Sequence, residues 1–318
     1  FFQAEDGIRH SSTSRGLGDV YKRQKYMQVL DKAFDIARKK NYKIVFPEKD
    51  DKRVFEAASY LSTEKLAQIL WLDGKQITPE HVSTILVQRP NIKRSIAEKL
   101  IKKPLYFAGS ILALGQADVM VAGAINPTKR VIEAATLTVG ISSKVNNISS
   151  FFLMISPEGL EYIFSDCAVN INVNEEILKD ITVSASEMAN KLLGFSKIAL
   201  LSFSTLESGD GESVKMIRNV YNTLKSDGFD LYGPIQGDAA INKEIAQRKG
   251  IHYDDRINVM IFPSLDAGNI AYKLCQSLGK FRSIGPFLQG FKKPVCDLSR
   301  GATTEDIISS SVLTIASI

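Results

Sequence analysis

Ten residues near the C-terminal end, Asp297-Leu298-Ser299-Arg300-Gly301-Ala302-Thr303-Thr304-Glu305-Asp306, hold the densest set of reactive side chains in the sequence. Ser299 and Arg300 sit side by side on a turn closed by Gly301, and Ile307-Ile308 beyond them opens an apolar helix pattern. Backbone N–H groups at a helix start attract anions. The guanidinium of Arg300 adds a planar fork suited to phosphate or carboxylate. Asp306, about one helical turn on, brings a carboxylate back towards the same spot. A hydroxyl, a fork and a base around an anion hole are the equipment of acyl or phosphoryl transfer. The dipeptide alone is weaker, because Ser-Arg on a turn is usually a self-bonded hydroxyl and a surface ion pair. Asp306 has a competing role too: Thr303 and Asp306 have the spacing of a capping box, in which the carboxylate only satisfies backbone N–H groups.

A serine nucleophile needs an adjacent base, usually histidine. Apart from His10 the chain has only His81 and His252, and no G-x-S-x-G turn. Ser299 is therefore read as a hydrogen-bond partner in the reaction, not as the attacking group. Cys167, Cys275 and Cys296 are widely spaced and odd in number, which argues against a disulfide framework or a CxxC metal site and fits a reducing, cytoplasmic compartment. No cluster of His, Cys and carboxylates suggests a metal. Gly209-Asp210-Gly211 lacks the last glycine of a GxGxxG loop, since Val214 stands there, and Glu207, Asp210 and Glu212 would repel phosphates. It is read as an ordinary loop.

The elements that must position these groups alternate between short apolar runs and amphipathic stretches. Met27, Leu30, Phe34 and Ala37 recur at helical spacing, and Lys43-Ile44-Val45-Phe46 reads as a buried strand. Asp50 and Asp51 are candidate caps for a helix with Val54, Phe55, Ala58 and Leu61 on its apolar face. Ile69-Leu70-Trp71-Leu72 is strand-like, Thr78-Pro79-Glu80 starts a helix, and Ile85-Leu86-Val87 is expected to be a strand. A helix over 105–114 precedes the strand Val119-Met120-Val121-Ala122. Its following loop, Asn126-Pro127-Thr128-Lys129, sits where ligands bind in parallel sheets, outside the C-terminal ends of strands. Residues 151–155 and 162–166 form a hairpin around Gly159, and Asn174 caps a helix over 175–193. Residues 198–201 form a strand opening onto Ser202, Ser204 and Thr205. Helices near 214–224 and within 234–249, a strand at 259–262 and a helix opened by Gly268-Asn269 complete the pattern. This β–α rhythm implies α/β architecture with parallel strands.

Hydrophobic content of 44% and charged content of 24% are ordinary for a globular protein, so nothing in the composition suggests disorder or a fibre. No apolar run reaches the roughly 18 residues of a membrane helix, so no membrane association is expected. A net charge of +5, spread along the chain, suits small anionic substrates and gives no support for nucleic-acid binding. Residues 1–24 have no periodic apolar face and resemble a translated sequencing-adapter read-through. They are expected to be a non-native, disordered extension.

Asp297-Leu298-Ser299-Arg300-Gly301 with Asp306 resembles the closing signature of the phosphate acetyl/butyryltransferase family, whose phosphate acetyltransferases exchange an acetyl group between phosphate and coenzyme A. Further blocks resemble it in order: Phe46-Pro47-Glu48, Ala117-Asp118-Val119-Met120-Val121-Ala122-Gly123-Ala124, Asp166-Cys167-Ala168-Val169-Asn170, Leu201-Ser202-Phe203-Ser204-Thr205 and Ala267-Gly268-Asn269-Ile270-Ala271-Tyr272-Lys273. The resemblance implies two α/β/α domains with mainly parallel sheets and an interdomain cleft, similar to the isocitrate/isopropylmalate dehydrogenase architecture. Residues 25–150 and 288–318 would form domain I, with 151–287 inserted as domain II. It further implies Ser299, Arg300 and Asp306 as catalytic residues, with Asp306 taking the thiol proton. Thr128, Arg130, Ser202, Ser204, Asn269, Tyr272 and Lys273 would bind substrates. Many members carry an arginine where this chain has Glu133, and Arg130, three residues earlier, would supply that charge. Acetyl phosphate, coenzyme A and phosphate are the implied partners, coenzyme A being a co-substrate with no bound cofactor or metal, and the implied assembly is a homodimer. A phosphate butyryltransferase and a non-catalytic acyl-coenzyme A sensing module remain as alternatives.

Overall fold

A computed structural model of the protein describes residues 28–318. Residues 1–24 and Met27 lie outside this span. The first elements are α1 (Gln28–Lys40), β1 (Lys43–Val45), α2 (Lys52–Thr63), β2 (Gln68–Leu70), α3 (Pro79–Gln88), α4 (Arg94–Leu100) and α5 (Pro104–Ala113). Next come β3 (Val119–Ala122), α6 (Thr128–Thr138), β4 (Ser149–Ile155), β5 (Glu161–Ser165), α7 (Glu175–Leu193), β6 (Ile198–Leu201), α8 (Glu212–Ser226) and β7 (Leu231–Ile235). The chain closes with α9 (Gly237–Ile241), α10 (Lys243–Arg248), β8 (Val259–Ile261), α11 (Leu265–Ser277), β9 (Arg282–Gln289), β10 (Val295–Asp297) and α12 (Thr304–Ala316).

Local chemistry explains most of these. Helix α1 buries Val29, Leu30, Ala33, Phe34 and Ala37, one stripe at 3.6-residue spacing. Asp51 caps α2 by accepting from the N–H groups of Arg53 and Val54. Asn174 caps α7, and Gly194 ends it in the left-handed conformation at φ 82°. Helix α12 is buried on nearly every side from Ile307 to Ile315, the mark of a helix enclosed by its neighbours. Three expectations change. Residues 85–87 belong to α3, where Val82 and Ile85 are buried one turn apart, so a short apolar run continues a helical face. Strand β7 contains Gly233 and Pro234, which hid it in the sequence; it is tolerated because β7 is an edge strand. Gly268 lies inside α11, which starts three residues earlier behind a Ser264 cap.

Among the described residues ten strands form one sheet, in the order β2-β1-β3-β10-β9-β4-β5-β8-β6-β7. Pairs among β2, β1, β3 and β10 are parallel, as are those among β5, β8, β6 and β7. Between the two sets, β10–β9, β9–β4 and β4–β5 are antiparallel. The sets therefore run in opposite directions. The register aligns Val121, Cys296, Phe287, Phe151, Ser165, Ile261 and Leu200 in one row. Strands β3 and β10 stop one residue past that row from one side, and β5 and β8 stop on it from the other. C-terminal ends of both sets thus converge on β9 and β4. Residue 288 falls within β9, on this antiparallel seam.

Candidate active site

A cleft of about 480 Å³ opens at this convergence. Its wall takes Asn126, Pro127 and Thr128 from beyond β3, Asp297 from the end of β10 with residues 298–302 beyond it, and Ala168 from beyond β5. Asn269, Tyr272, Lys273 and Gln276 come from α11, Asp306 and Ser310 from α12, and Phe152 with residues 283–286 from the central strands.

The turn after β10 is fixed by its backbone. Leu298 N–H donates to the Ala122 carbonyl at 2.6 Å, and Ala302 N–H to the Ser299 carbonyl at 2.9 Å. The Ser299 hydroxyl accepts from Gly301 N–H at 3.2 Å. Arg53 clamps the turn from behind: Nη1 donates to the Arg300 and Ala302 carbonyls, both at 2.8 Å, and Nη2 to the Ala124 carbonyl at 3.1 Å. Its Nε and Nη2 also hold Asp51 at 3.1 and 2.7 Å. That bond holds the Asp51 carboxyl below, and the Arg53 guanidinium above, their ordinary ranges. One arginine therefore ties the α2 cap to both loops of the cleft.

Glu48 does the same for the β3–α6 loop. Its carboxylate, 4% exposed, accepts from Gly123 and Ala124 N–H at 2.8 Å, and from Ile125 N–H, Asn126 N–H and Asn126 Nδ2 at 3.3, 3.1 and 2.7 Å. Gly123, at φ 108°, is the close approach: a Cβ there would lie 2.4 Å from Asp297 Oδ1 and 2.7 Å from the Leu298 nitrogen. Glu48 and Asp297 lie in blocks that resemble the family, but nothing local in the sequence gives either of them, or Arg53, a role.

Asp297 is 1% exposed and accepts the Thr128 hydroxyl on Oδ2 at 2.5 Å, while Oδ1 has no partner. Burial pushes its carboxyl up to about 7; the Thr128 bond opposes that, and the charge of Glu48 adds to it. Asp306 forms the capping box: Thr303 N–H and Oγ1 donate to Oδ2 at 2.9 and 2.8 Å, and Asp306 N–H returns to Thr303 Oγ1 at 3.1 Å. Oδ1 stays outside the box. On α11, Asn269 Nδ2 donates to the Cys167 carbonyl at 3.0 Å. The Tyr272 ring stacks on Phe152 with centroids 4.1 Å apart, and Lys273 Nζ lies 5.1 Å from the Tyr272 centroid. Ser283 Oγ, on the wall, has no hydrogen-bond partner among the described residues. The Cys167 thiol is buried and pushed well above its ordinary range, so it behaves as a small hydrophobe.

A family model described as phosphate acetyl/butaryl transferase matches residues 80–315. The chain belongs to that family. A phosphate acetyltransferase of Clostridium acetobutylicum is 33% identical over 327 aligned residues, covering 91% of this chain and 98% of the relative. One of Acetivibrio thermocellus is 33% identical, covering 91% and 97%. The crystal structure of a phosphotransacetylase from Streptococcus pyogenes superposes with a TM-score of 0.84 at 32% identity, covering 91% of this chain and 97% of that one.

Of the site residues expected from the family resemblance, Thr128, Asn269, Tyr272, Lys273, Ser299, Arg300 and Asp306 meet in the cleft. Arg130, Ser202 and Ser204 are not on its wall. Arg130 is exposed on α6, within electrostatic reach of Tyr106. Ser202 and Ser204 follow β6, three strands from β4, on the order of 14 Å away at the usual strand spacing. Among the described residues no group of three or more His, Cys, Asp or Glu could hold a metal, and no helix is long and apolar enough to cross a membrane.

Proposed function

We propose that this chain is a phosphate acetyltransferase: acetyl phosphate and coenzyme A give acetyl-coenzyme A and phosphate, reversibly. The observation carrying this reading is a cleft into which the chain brings two cations, Arg300 and Lys273, neither with an ion-pair partner among the described residues, beside a carboxylate with one free oxygen. An acyl phosphate supplies the anion such cations lack.

In this reading both substrates bind together. Arg300 grips the phosphoryl oxygens through its fork, and Lys273 adds charge beside them. Asp306 Oδ1 takes the thiol proton. The thiolate attacks the carbonyl carbon, a C–S bond forms, the C–O bond to phosphorus breaks, and phosphate leaves with the electron pair. Ser299 donates to the oxyanion that develops on the carbonyl oxygen. A free thiol titrates near 8.5, so proton removal by a carboxylate needs the Arg300 charge to favour the thiolate. Holding the two reactants side by side supplies much of the remaining acceleration. Coenzyme A is a co-substrate, and this scheme uses no metal.

The two oppositely directed strand sets support a division into domain I (25–150 with 288–318) and domain II (151–287). Ile270, Leu274 and Leu278, exposed along one face at and beyond α11, support a homodimer through that helix. Three free cysteines support a cytoplasmic setting.

The test is thioester formation by the purified chain with coenzyme A and acetyl, propionyl or butyryl phosphate. The expected order of turnover is acetyl first and butyryl last. Butyryl phosphate as the best substrate would move the reading to a butyryltransferase, and no thioester from any of them would overturn a transferase.

A further inference from the structure

Thr128 is the first residue of α6, and Pro127 at the N-cap gives that helix no side-chain acceptor for its opening N–H groups. Thr128 also lines the cleft, so its hydroxyl stands at an anion-favouring helix start. Yet that hydroxyl is bonded to Asp297 at 2.5 Å. While Asp297 is ionised, the Thr128 proton must point at the carboxylate, and only lone pairs are left for a ligand. A threonine in that state repels an oxyanion.

Asp297 is poorly built to stay ionised. Oδ1 lies against Gly123 with no hydrogen-bond donor, and a bare carboxylate oxygen in the interior is costly. Glu48, the charged group facing it from the loop after β1, is itself a carboxylate. The surrounding cations reach it less directly: Arg53 donates to backbone carbonyls and Asp51, while Arg300, Lys129 and Arg130 are exposed. Lys273 of α11 and Asp306 of α12 complete the charges around the cleft. An arriving anion adds one more negative charge beside the pair.

We infer that Asp297 and Thr128 form a proton-linked gate for oxyanions. When an anion binds at the start of α6, Asp297 takes a proton from solvent and donates it to Thr128 Oγ1. The Thr128 hydroxyl then turns and donates to the anion. Where Asp297 starts ionised, an O–H bond forms on its carboxyl with one proton drawn from solvent per anion, and no other covalent bond changes. This rests on the acyl-phosphate reading of the cleft and adds a positioning residue to it. Because burial holds the Asp297 carboxyl at about 7, the gate is open by default below that pH. Above it, binding must draw in the proton. Neither His81, on α3, nor His252, beyond α10, lines the cleft to supply the same dependence.

The experiment is calorimetric titration of the purified chain with sulfate, which stays a dianion while pH is varied from about 6 to about 9. Sulfate affinity should fall by about tenfold per pH unit above about 7, with about one proton taken up per anion in that range. Asp297→Asn, whose amide donates to Thr128 at every pH, should lose both the slope and the uptake and bind more tightly than wild type at the alkaline end. Thr128→Val should weaken binding at every pH. A flat wild-type profile, a wild-type slope retained in Asp297→Asn, or no sulfate binding by wild type would each overturn the gate. Thioester formation by the same preparation keeps the two proposals apart: turnover with a flat profile sinks the gate alone, and absent turnover sinks the transferase.

Discussion

Two polar turns leave buried strands of this sheet at the same row: residues 299–302 after β10 and residues 202–205 after β6. The first carries one hydroxyl beside an arginine, the second three hydroxyls, and the sequence marks both as parts of the site. In the second, the polar groups satisfy one another. Ser204 N–H donates to Ser202 Oγ at 3.1 Å, Ser204 Oγ meets Ser208 Oγ at 3.1 Å, and Thr205 exchanges bonds with Gln236, Oγ1 to Oε1 and N–H to Oγ1, both at 3.1 Å. In the first, the backbone is held from outside by Arg53, and the Arg300 guanidinium has no ion pair among the described residues. A loop that spends its donors on itself has little left to offer a ligand. A loop whose shape is maintained by a neighbour keeps its side chains free.

The sharpest way to break this contrast is Asp306→Asn. Asn still accepts the cap bonds through its carbonyl oxygen but takes no proton. Turnover should drop about 10²- to 10⁴-fold, with a stability loss within about 1 kcal/mol. Because thiols ionise above neutral pH, the defect should shrink towards alkaline pH. Full activity with a lowered melting temperature would leave Asp306 as a cap alone. Arg300→Lys keeps the charge and loses the fork, so the rate should fall on the order of 10²-fold; unchanged kinetics for both substrates would remove the clamp.

Arg53→Lys tests support from behind. A lysine cannot hold three carbonyls and Asp51 together, so kcat should fall about tenfold, by the logic of misplaced reacting groups, and stability by about 1–2 kcal/mol. A stability loss with kcat intact would show that Arg53 braces the fold without setting the turn. The smallest effect belongs to the other loop. Ser204→Ala should change kinetic constants by less than about twofold and cost about 1 kcal/mol in a denaturation curve, the scale of one buried hydrogen bond. A large rise in the Michaelis constant for coenzyme A would return this loop to the site and erase the contrast.

What could be read in advance was local. Asn174 and the helix it caps, the hairpin around Gly159 and the buried strands at 119–122 and 198–201 each carry their signal within a few residues. Residues 85–87 misled because a short apolar run suits a strand or a buried helix equally. Strand β7 was hidden because Gly233 and Pro234 are penalised in most strands and are tolerated at an edge. The Ser299-Arg300 turn was legible because Gly301 and the capping-box spacing lie beside it. Arg53 was not, since the carbonyls it holds belong to residues 71, 247 and 249 positions away. Asp297 was overlooked for a similar reason: what sets it apart is an oxygen left bare by Gly123 and a hydroxyl 169 residues back in the chain.

The sequence by itself determined the α/β class, the caps, most strands and the chemical types at the site, because propensity, periodicity and capping act over one or two turns. It could not determine that the two parallel strand sets run in opposite directions and end on one row. That follows from three antiparallel pairings, β10–β9, β9–β4 and β4–β5, whose partners are brought together only when the long-range sheet forms. This convergence is what turns Thr128, Asn269, Lys273, Arg300 and Asp306, spread over 179 residues, into one wall, and leaves Ser202, Ser204 and Arg130 outside it.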